Sequence, residues 1–525
     1  MQRFIQPRII MGYISVSKLL YTTIAITVAY RLYWEVTVGT RRRAIAKQHG
    51  TVAPRQVRAW DPFLGLDIVW RNLQAIKEHR VLDFFGEKLS SNQAHTVFEK
   101  MLGKTIFITD DPENVKAILA TDFETWSIGK HRIKQFSAFL GIGIFTNEGP
   151  AWKHSRSMLR PCFERSQVAD ITILHKHMQR FFGLLPTDGT TIDLQPLFHE
   201  LSLDIASDFL FGRSTNSLQR GEDNKECETF AQAFDYCVNP NQEGMENSSA
   251  IWLFLSNFLP NRKFKRSVKQ IQDFADKIID EELASKASKR DDGSSERYVF
   301  LDELIAQTSD RKAIRSELLN IFAAGRDTTA ALFSNVFWEI SRLPRVMDRI
   351  REEIAEHLDD ASAVPSYEQL KGMRYLKAVL SESQRLYPIV PANHRQALHD
   401  TTIPRGGGPD GKSPVLVTKG SPVMFLPWSM HRRADIFGDD ALKFRPERWL
   451  DSENSLRPGW GYLPFGGGPR VCIGQNFALT EAMFVVVRLL QCFDIESRDD
   501  EPWREKLSII SIGLGGCKVA LKRRS

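Results

Sequence analysis

The chain is predicted to be mainly α-helical with small β-sheets, one large domain preceded by an N-terminal membrane anchor. Three observations carry this expectation. Apolar residues recur at helical spacing along the body, as in "VWRNLQAIKEHRVLDFFGEKL" and "ITILHKHMQRFFGLL". Strand signals are few and gather in "TTIPRGGGPDGKSPVLVTKGSPVMF", which reads as a hairpin with an irregular turn. The stretch "IIMGYISVSKLLYTTIAITVAY", Ile9 to Tyr30, is mostly apolar and about long enough to cross a bilayer.

In chain order, residues 9–30 form the expected anchor, with no small-residue cleavage site after them. Arg31, Arg41, Arg42, Arg43 and Lys47 follow it, against Arg3 and Arg8 before it. The positive-inside rule then places residues 1–8 in the lumen and the large domain in the cytosol. Residues 31–60 are a basic linker containing Pro54, and residues 61–525 are the main domain. Within it, Glu281 to Tyr298 carries a Ser/Lys/Asp/Gly cluster and reads as a solvated loop. A long helical run from about Arg311 to Arg342 ends before Pro344. The run from Gln475 to Gln491 is again helical in period, and no internal repeat is present.

Composition excludes several classes. Hydrophobic residues at 42% and charged residues at 26% belong to a folded globular protein rather than a disordered one. The 70 basic and 64 acidic residues leave +6, too slight an excess to indicate nucleic-acid binding. Six cysteines are scattered with no CxxC pair and no zinc-like Cys/His spacing, which suits free thiols in a reducing compartment. Asn247 opens a glycosylation sequon that would matter only in the secretory lumen.

Two stretches carry chemistry. In "FGGGPRVCIGQNFALTEAMFVVVRLL", Cys472 sits among glycines just ahead of a helix N-terminus. The glycines let a large flat object approach the backbone closely. The helix dipole and its unpaired amides are expected to favour an anion and lower the thiol pKa. In "LLNIFAAGRDTTAALFSNVFW", Gly325, Asp327, Thr328 and Thr329 interrupt an apolar helix. Buried hydroxyl and carboxylate groups there need partners, which a locally opened helix beside a small pocket would supply.

With these residues in view, the chain resembles the cytochrome P450 monooxygenases. Phe465, Gly468, Arg470, Cys472 and Gly474 fill the haem-loop pattern Phe-x-x-Gly-x-Arg-x-Cys-x-Gly. "AGRDTT" is similar to the oxygen-activating helix motif, with Asp327 as its acid and Thr328 as its hydroxyl. Glu382 and Arg385 in "ESQR", with Arg448 in "FRPERW", match the family's structural triad. Trp152 and Arg156 in "WKHSR" match a helix that touches a haem propionate, and Arg395 stands where many members place another propionate-binding arginine. His394 is read as a hydrogen-bonding or surface group, and the other five cysteines as inert.

The resemblance implies a P450 fold holding haem b, with Cys472 as the axial thiolate. It implies Arg470, Arg156, Arg395 and Trp152 at the propionates, and Asp327 and Thr328 as the proton-delivery pair. Ala324 and Gly325 would keep the helix backbone slim where oxygen fits. O2 and NADPH-derived electrons are the implied co-substrates, because the chain shows no flavin or nicotinamide domain of its own. The implied partners are an NADPH–cytochrome P450 reductase docking on the basic face behind Cys472, a cytochrome b-type donor, a lipophilic substrate and the endoplasmic reticulum membrane; no nucleic acid is involved. "DPFLGLDIVWRNLQAIKEHRVLDFFGE", "GIGIFTNEGPAWKHSRSMLRPCF" and "MHRRADIFGDDALKFRPERWL" resemble the fungal branch that hydroxylates n-alkanes and fatty acids at the terminal carbon. By family position, the pocket segments are Phe136 to Phe145, Phe322 to Ala324, Ile389 to Ala392 and Ile512 to Leu514. The alternatives are oxidation of another lipophilic metabolite or xenobiotic, a haem-thiolate isomerase or dehydratase, and a haem-binding sensor. The Asp327–Thr328 pair argues against the last two.

Overall fold

The computed structural model describes residues 16–164, 170–219, 225–238, 261–288, 299–358, 360, 363–451, 456–507 and 510–524. Its axis is the long helix Arg311–Ile340. Asp310 starts this helix by accepting from the amides of Lys312 and Ala313 at 2.9 and 3.4 Å, which sets negative charge at the positive end of the dipole. Pro344 heads the next helix, Pro344–His357, where its missing N–H removes no helical hydrogen bond. Apolar side chains cover the long helix on all sides because helices Leu194–Phe211, Arg262–Ser288, Arg374–Leu386 and Gln475–Cys492 pack around it.

Phenylalanines fill much of the space between these helices. Phe230 stacks on Phe274 at 4.2 Å between ring centroids, and Phe322 meets Phe234 edge-on at 5.2 Å. Nearer the C-terminal half of the long helix, Phe198 stacks on Phe181 and meets Phe333 edge-on, each at 5.6 Å. Such offset and edge-to-face pairs add to the burial of large apolar area.

The β structure is peripheral. A six-stranded sheet has the order Arg55–Gln56, Thr96–Met101, Lys104–Thr109, Pro422–Phe425, Asn393–Ala397 and Trp126–Ser127. Arg395 pairs with Val423 across two antiparallel neighbours, which fixes the side of the sheet on which Arg395 stands. The predicted irregular hairpin is present as Thr401–Gly407 paired with Ser413–Val417, with a register shift between Ile403 and Gly407. Phe493–Ser497, Lys518–Arg523 and Asp188–Asp193 make a three-stranded sheet.

Two expectations change. Helix Arg262–Ser288 takes in the first residues of the expected solvated loop, because Glu, Leu, Ala and Lys are strong helix formers despite the serines. The remainder of that segment, residues 289–298, and the sequon at Asn247 lie outside the described residues. At the N-terminus, residues 1–15 also lie outside, and with them the lumenal segment and the start of the expected anchor. From Val16 the chain is helical to Trp34, continues through a π turn at Glu35–Gly39, and is helical again over Thr40–His49. The linker expected over residues 31–60 is therefore helical as far as His49. Among the described residues, no helix is long and apolar enough to cross a membrane. Leu19, Tyr21, Ile26 and Tyr30 are nonetheless exposed along this helix, and Arg42 ties it to the main domain through Asp400 at 3.2 Å.

Candidate active site

The glycine loop folds around Cys472. The Cys472 amide donates to the Phe465 carbonyl at 2.9 Å, and Val471 to Gly468 at 3.0 Å, so the loop closes on itself ahead of helix Gln475–Cys492. Gly468 has φ +67°, and a Cβ there would lie 1.9 Å from the Leu119 carbonyl oxygen. A Cβ on Gly467 would lie 2.5 Å from the Trp460 ring. These two glycines are thus required by close packing against protein; of the three, only Gly466 faces open space. Close approach of a flat ligand accounts for fewer of the glycines than the sequence suggested.

Cys472 has accessible surface although protein surrounds it on most sides, which is the position of a group facing into an internal cleft. Its thiol pKa is raised, contrary to expectation. Burial outweighs the Gly474 amide that hydrogen-bonds the sulfur and the nearby Arg156. A neutral thiol is therefore favoured until a cation binds the sulfur. Cys162, Cys237 and Cys517 are buried, and burial pushes the Cys237 thiol up to about 12.

Four guanidiniums gather near this loop. Trp152, on helix Gly149–Leu159, is buried, with Arg470 4.5 Å and Arg156 5.9 Å from its ring centre. Arg470 donates to the Asn147 carbonyl at 2.8 Å. Arg395 is buried and donates to the His394 carbonyl at 2.8 Å and to Asn393 Oδ1 at 3.2 Å. Arg132 donates to the same Asn393 Oδ1 at 3.1 Å. Among the described residues, their hydrogen-bond partners are carbonyl and amide oxygens, and no carboxylate forms an ion pair with them. Burial, with Arg132 and Arg470 beside it, pushes Arg395 down to about 9; burial pushes Arg470 to about 10. His394, beside Arg132 and Arg395, is half-buried, and burial and these charges push it to about 4, so it stays neutral.

Arg132 and Asn393 were missed from sequence. A signal existed: "KHR" opens helix Lys130–Leu140, where three basic residues oppose the helix dipole unless an anion is near. The donor set fits a haem. One soft sulfur ligand suits iron, and guanidiniums that form no ion pair among the described residues suit two carboxylates.

The long helix is unbroken through the polar turn, so the expected local opening is absent. Thr328 Oγ1 donates to the Ala324 carbonyl at 2.6 Å and Thr329 Oγ1 to Gly325 at 2.8 Å, which satisfies both hydroxyls within the helix. Gly325 faces helix Leu194–Phe211, where a Cβ would meet Ala206 at 4.0 Å, and Ser202 Oγ reaches the Arg326 carbonyl at 2.6 Å. The Ala206 distance is ordinary van der Waals contact, so packing against this helix does not by itself require a glycine. Burial pushes the Asp327 carboxyl up, but Arg326 and His199 outweigh burial and hold it below the usual range. Of the expected pocket residues, Phe139, Leu140 and Phe322 are buried in the core instead. Ala323, Ala324 and Val390 keep accessible surface.

Glu382, Arg385 and Arg448 form one buried cluster. Glu382 accepts from Arg385 at 2.8 and 2.9 Å, from Arg448 at 2.9 Å, from the Arg445 amide at 2.9 Å and from the Trp449 indole at 2.9 Å. Arg385 also donates to the carbonyls of His431, Ala441 and Lys443. Every strong polar group there has a partner, as burial requires.

The loop that holds Arg470 is itself held by the long helix. Glu317 Oε2 accepts from the Ile144 amide at 3.2 Å, and Asn320 Oδ1 from Phe145 at 3.0 Å. Burial pushes Glu317 up to about 6 from 4.5. The protonated form therefore stabilises the fold below about pH 4.5, and this is lost as pH rises through 6. Glu317→Gln keeps an acceptor without the charge. It is expected to raise stability at neutral pH by about 1–2 kcal/mol, a gain that vanishes below pH 4.5 in thermal unfolding. The same gain at both pH values would refute the ionised state of Glu317.

A cytochrome P450 family model matches residues 62–515. Cytochrome P450 52A13 of Debaryomyces hansenii is 43% identical over 460 residues, 85% of this chain and 87% of that protein. Cytochrome P450 52A4 of Candida maltosa is 44% identical over 422 residues, covering 78% and 77%. A cytochrome P450 monooxygenase of Aspergillus japonicus, himC, is 38% identical over 504 residues, covering 95% and 88%. With its thiol, its arginines and its long polar-interrupted helix on one fold, the chain belongs to the cytochrome P450 family of haem monooxygenases, which use O2 and electrons from a reductase.

Proposed function

We propose that this enzyme inserts oxygen at the terminal carbon of n-alkanes or fatty acids, with Cys472 as the iron ligand. The observation that carries the site assignment is a cysteine with accessible surface beside guanidiniums that, among the described residues, form no ion pair with a carboxylate. Haem bound there supplies the activation of O2. Arg132, Arg156, Arg395 and Arg470 hold and orient its propionates through charge-assisted bonds, with Trp152 packed between two of them. Gly474 directs its amide at the Cys472 sulfur, which tunes the ligand. Thr328 points its proton at the Ala324 carbonyl, so its oxygen lone pairs are left to accept from a water. Asp327, held ionised, passes protons through that water. Thr328→Ala is expected to keep haem yet divert O2 consumption to peroxide, read as product formed per NADPH; unchanged coupling would remove Thr328 from the proton path.

The substrate reading is supported by the similarity of three segments to the fungal alkane and fatty-acid branch and by the small residues Ala323 and Ala324 at the accessible edge of the long helix. Attachment to the endoplasmic reticulum membrane is supported by the exposed apolar residues on the N-terminal helix and by Trp60, Phe63 and Trp70, exposed at 96%, 79% and 59%. The basic residues after residue 30 suit an anionic cytosolic leaflet and leave the main domain accessible to an NADPH–cytochrome P450 reductase or a cytochrome b-type donor. Oxidation of another lipophilic compound is favoured by one observation: monooxygenases of Aspergillus japonicus and Fusarium heterosporum are 38% and 37% identical across most of the chain. Microsomes containing the enzyme and a reductase, given dodecane, lauric acid and oleic acid, decide the matter. Terminal alcohol formed with NADPH supports the proposal, and absence of product from all three overturns the substrate class.

A further inference from the structure

Asp327 has little solvent of its own. Its side chain is 20% exposed, and Arg326 Nε lies 3.3 Å from Oδ1. Beside it stands a titratable group with a slightly more exposed side chain, His199, on helix Leu194–Phe211. Its Nδ1 lies 3.6 Å from the same Asp327 oxygen, while its side chain is 26% exposed. We propose that His199 is the solvent-side member of the proton path, handing protons to Asp327; this rests on the proton role proposed above for Asp327 and Thr328.

The geometry of the two helices supports the pairing. Ser202 stands one turn from His199 on the same helix face. Its hydroxyl reaches the Arg326 carbonyl at 2.6 Å and Thr329 Oγ1 at 2.5 Å. The turn that carries Asp327 is thereby fastened to the helix that carries His199, which keeps the two side chains within reach of each other. The other charges facing the imidazole are Arg326 on the long helix and Asp235 on helix Lys225–Val238. Asp235 pairs with Arg326. That pair draws part of the guanidinium charge away from Asp327 and leaves its carboxylate able to accept a proton.

Imidazole suits the task because it binds a proton at one nitrogen and releases one from the other near neutral pH. A proton from water enters at Nε2, the Nδ1 proton moves to Asp327 Oδ1, and the neutral ring re-equilibrates with solvent. The 3.6 Å gap is longer than a hydrogen bond and closes by a small side-chain rotation or one bridging water. Asp327 then gives up its proton beside Thr328 and returns to carboxylate. The balance is that of monooxygenation: a C–H bond, O2, two electrons from the reductase and two solvent protons give C–OH and one water. Neither His199 nor Asp327 is consumed.

The test uses the full-length holoenzyme with its reductase. His199→Gln and His199→Asn preserve polarity but cannot carry a proton at this site. Haem ligation is followed by the carbon-monoxide difference spectrum, and NADPH-driven O2 consumption is followed in H2O and D2O across pH. Both variants are expected to keep the spectrum, to slow O2 consumption by about tenfold, to show a larger solvent isotope effect and to lose one limb of the pH profile. In an Asp327→Asn background, His199→Gln is expected to add no further slowing, since the two act in series. Wild-type isotope effects and pH profiles in both variants, or additive slowing, would overturn the relay. O2 consumption does not depend on which carbon is oxidised, so failure of the alkane and fatty-acid reading leaves this test intact. If Asp327→Asn alone leaves the isotope effect unchanged, the underlying role of Asp327 fails and takes the relay with it.

Discussion

Arg385→Met is expected to leave almost no folded enzyme. The substitution strips fully buried Glu382 of its bidentate partner and withdraws the donor from three carbonyls, those of His431, Ala441 and Lys443. Removing one member of a buried ion pair costs about 3–5 kcal/mol. The whole stability of a domain is about 5–15 kcal/mol. The loss also falls where helix Arg374–Leu386 is joined to the segment leading to the cysteine loop, so misfolding there would propagate to haem binding. Folded yield in membranes and the carbon-monoxide difference spectrum measure the effect. A companion variant, Glu382→Gln with Arg385→Met, removes a buried carboxylate left with one guanidinium instead of two while Arg448 keeps Asp440, and is expected to recover part of the yield. Wild-type yield from Arg385→Met alone would show that the cluster contributes little to folding.

Cys472→Ser is expected to preserve the fold and abolish the chemistry. The loop is closed by the Cys472 amide on the Phe465 carbonyl, a bond that serine keeps. Gly468 against the Leu119 carbonyl is likewise unaffected. What changes is the ligand: a hydroxyl is a hard donor and lacks the electron push of a thiolate. The reduced carbon-monoxide complex should lose its red-shifted Soret band, and NADPH-dependent product should fall to background while circular dichroism stays unchanged. Persistence of the thiolate band in the serine variant would overturn the assignment of Cys472.

The long helix was legible because an apolar run ending just before Pro344 is a local signal. The hairpin near Gly406 was legible for the same reason. The solvated loop after Glu281 was misjudged because serine content masked good helix formers. At the site, Cys472 and the arginines of the motifs could be named from their match to the family's patterns. The grouping of Arg132 with Arg395 on one Asn393 oxygen could not, because 261 residues separate Arg132 from Asn393 and only the six-stranded sheet brings them together. The thiol's raised pKa was unreadable for a related reason: the helix amide was visible in the pattern, but the burial opposing it was not.

The four guanidiniums have a consequence at the level of the cell. Their mutual repulsion weakens the polypeptide by itself, and a dianionic ligand that binds only the folded state stabilises it by mass action, by about 2.7 kcal/mol at a hundredfold excess over its Kd. Protein quality control removes whatever fraction unfolds. The steady amount of this enzyme is then governed by prosthetic-group supply as well as by transcription, so starving a cell of haem precursors should deplete the polypeptide itself, not only its activity.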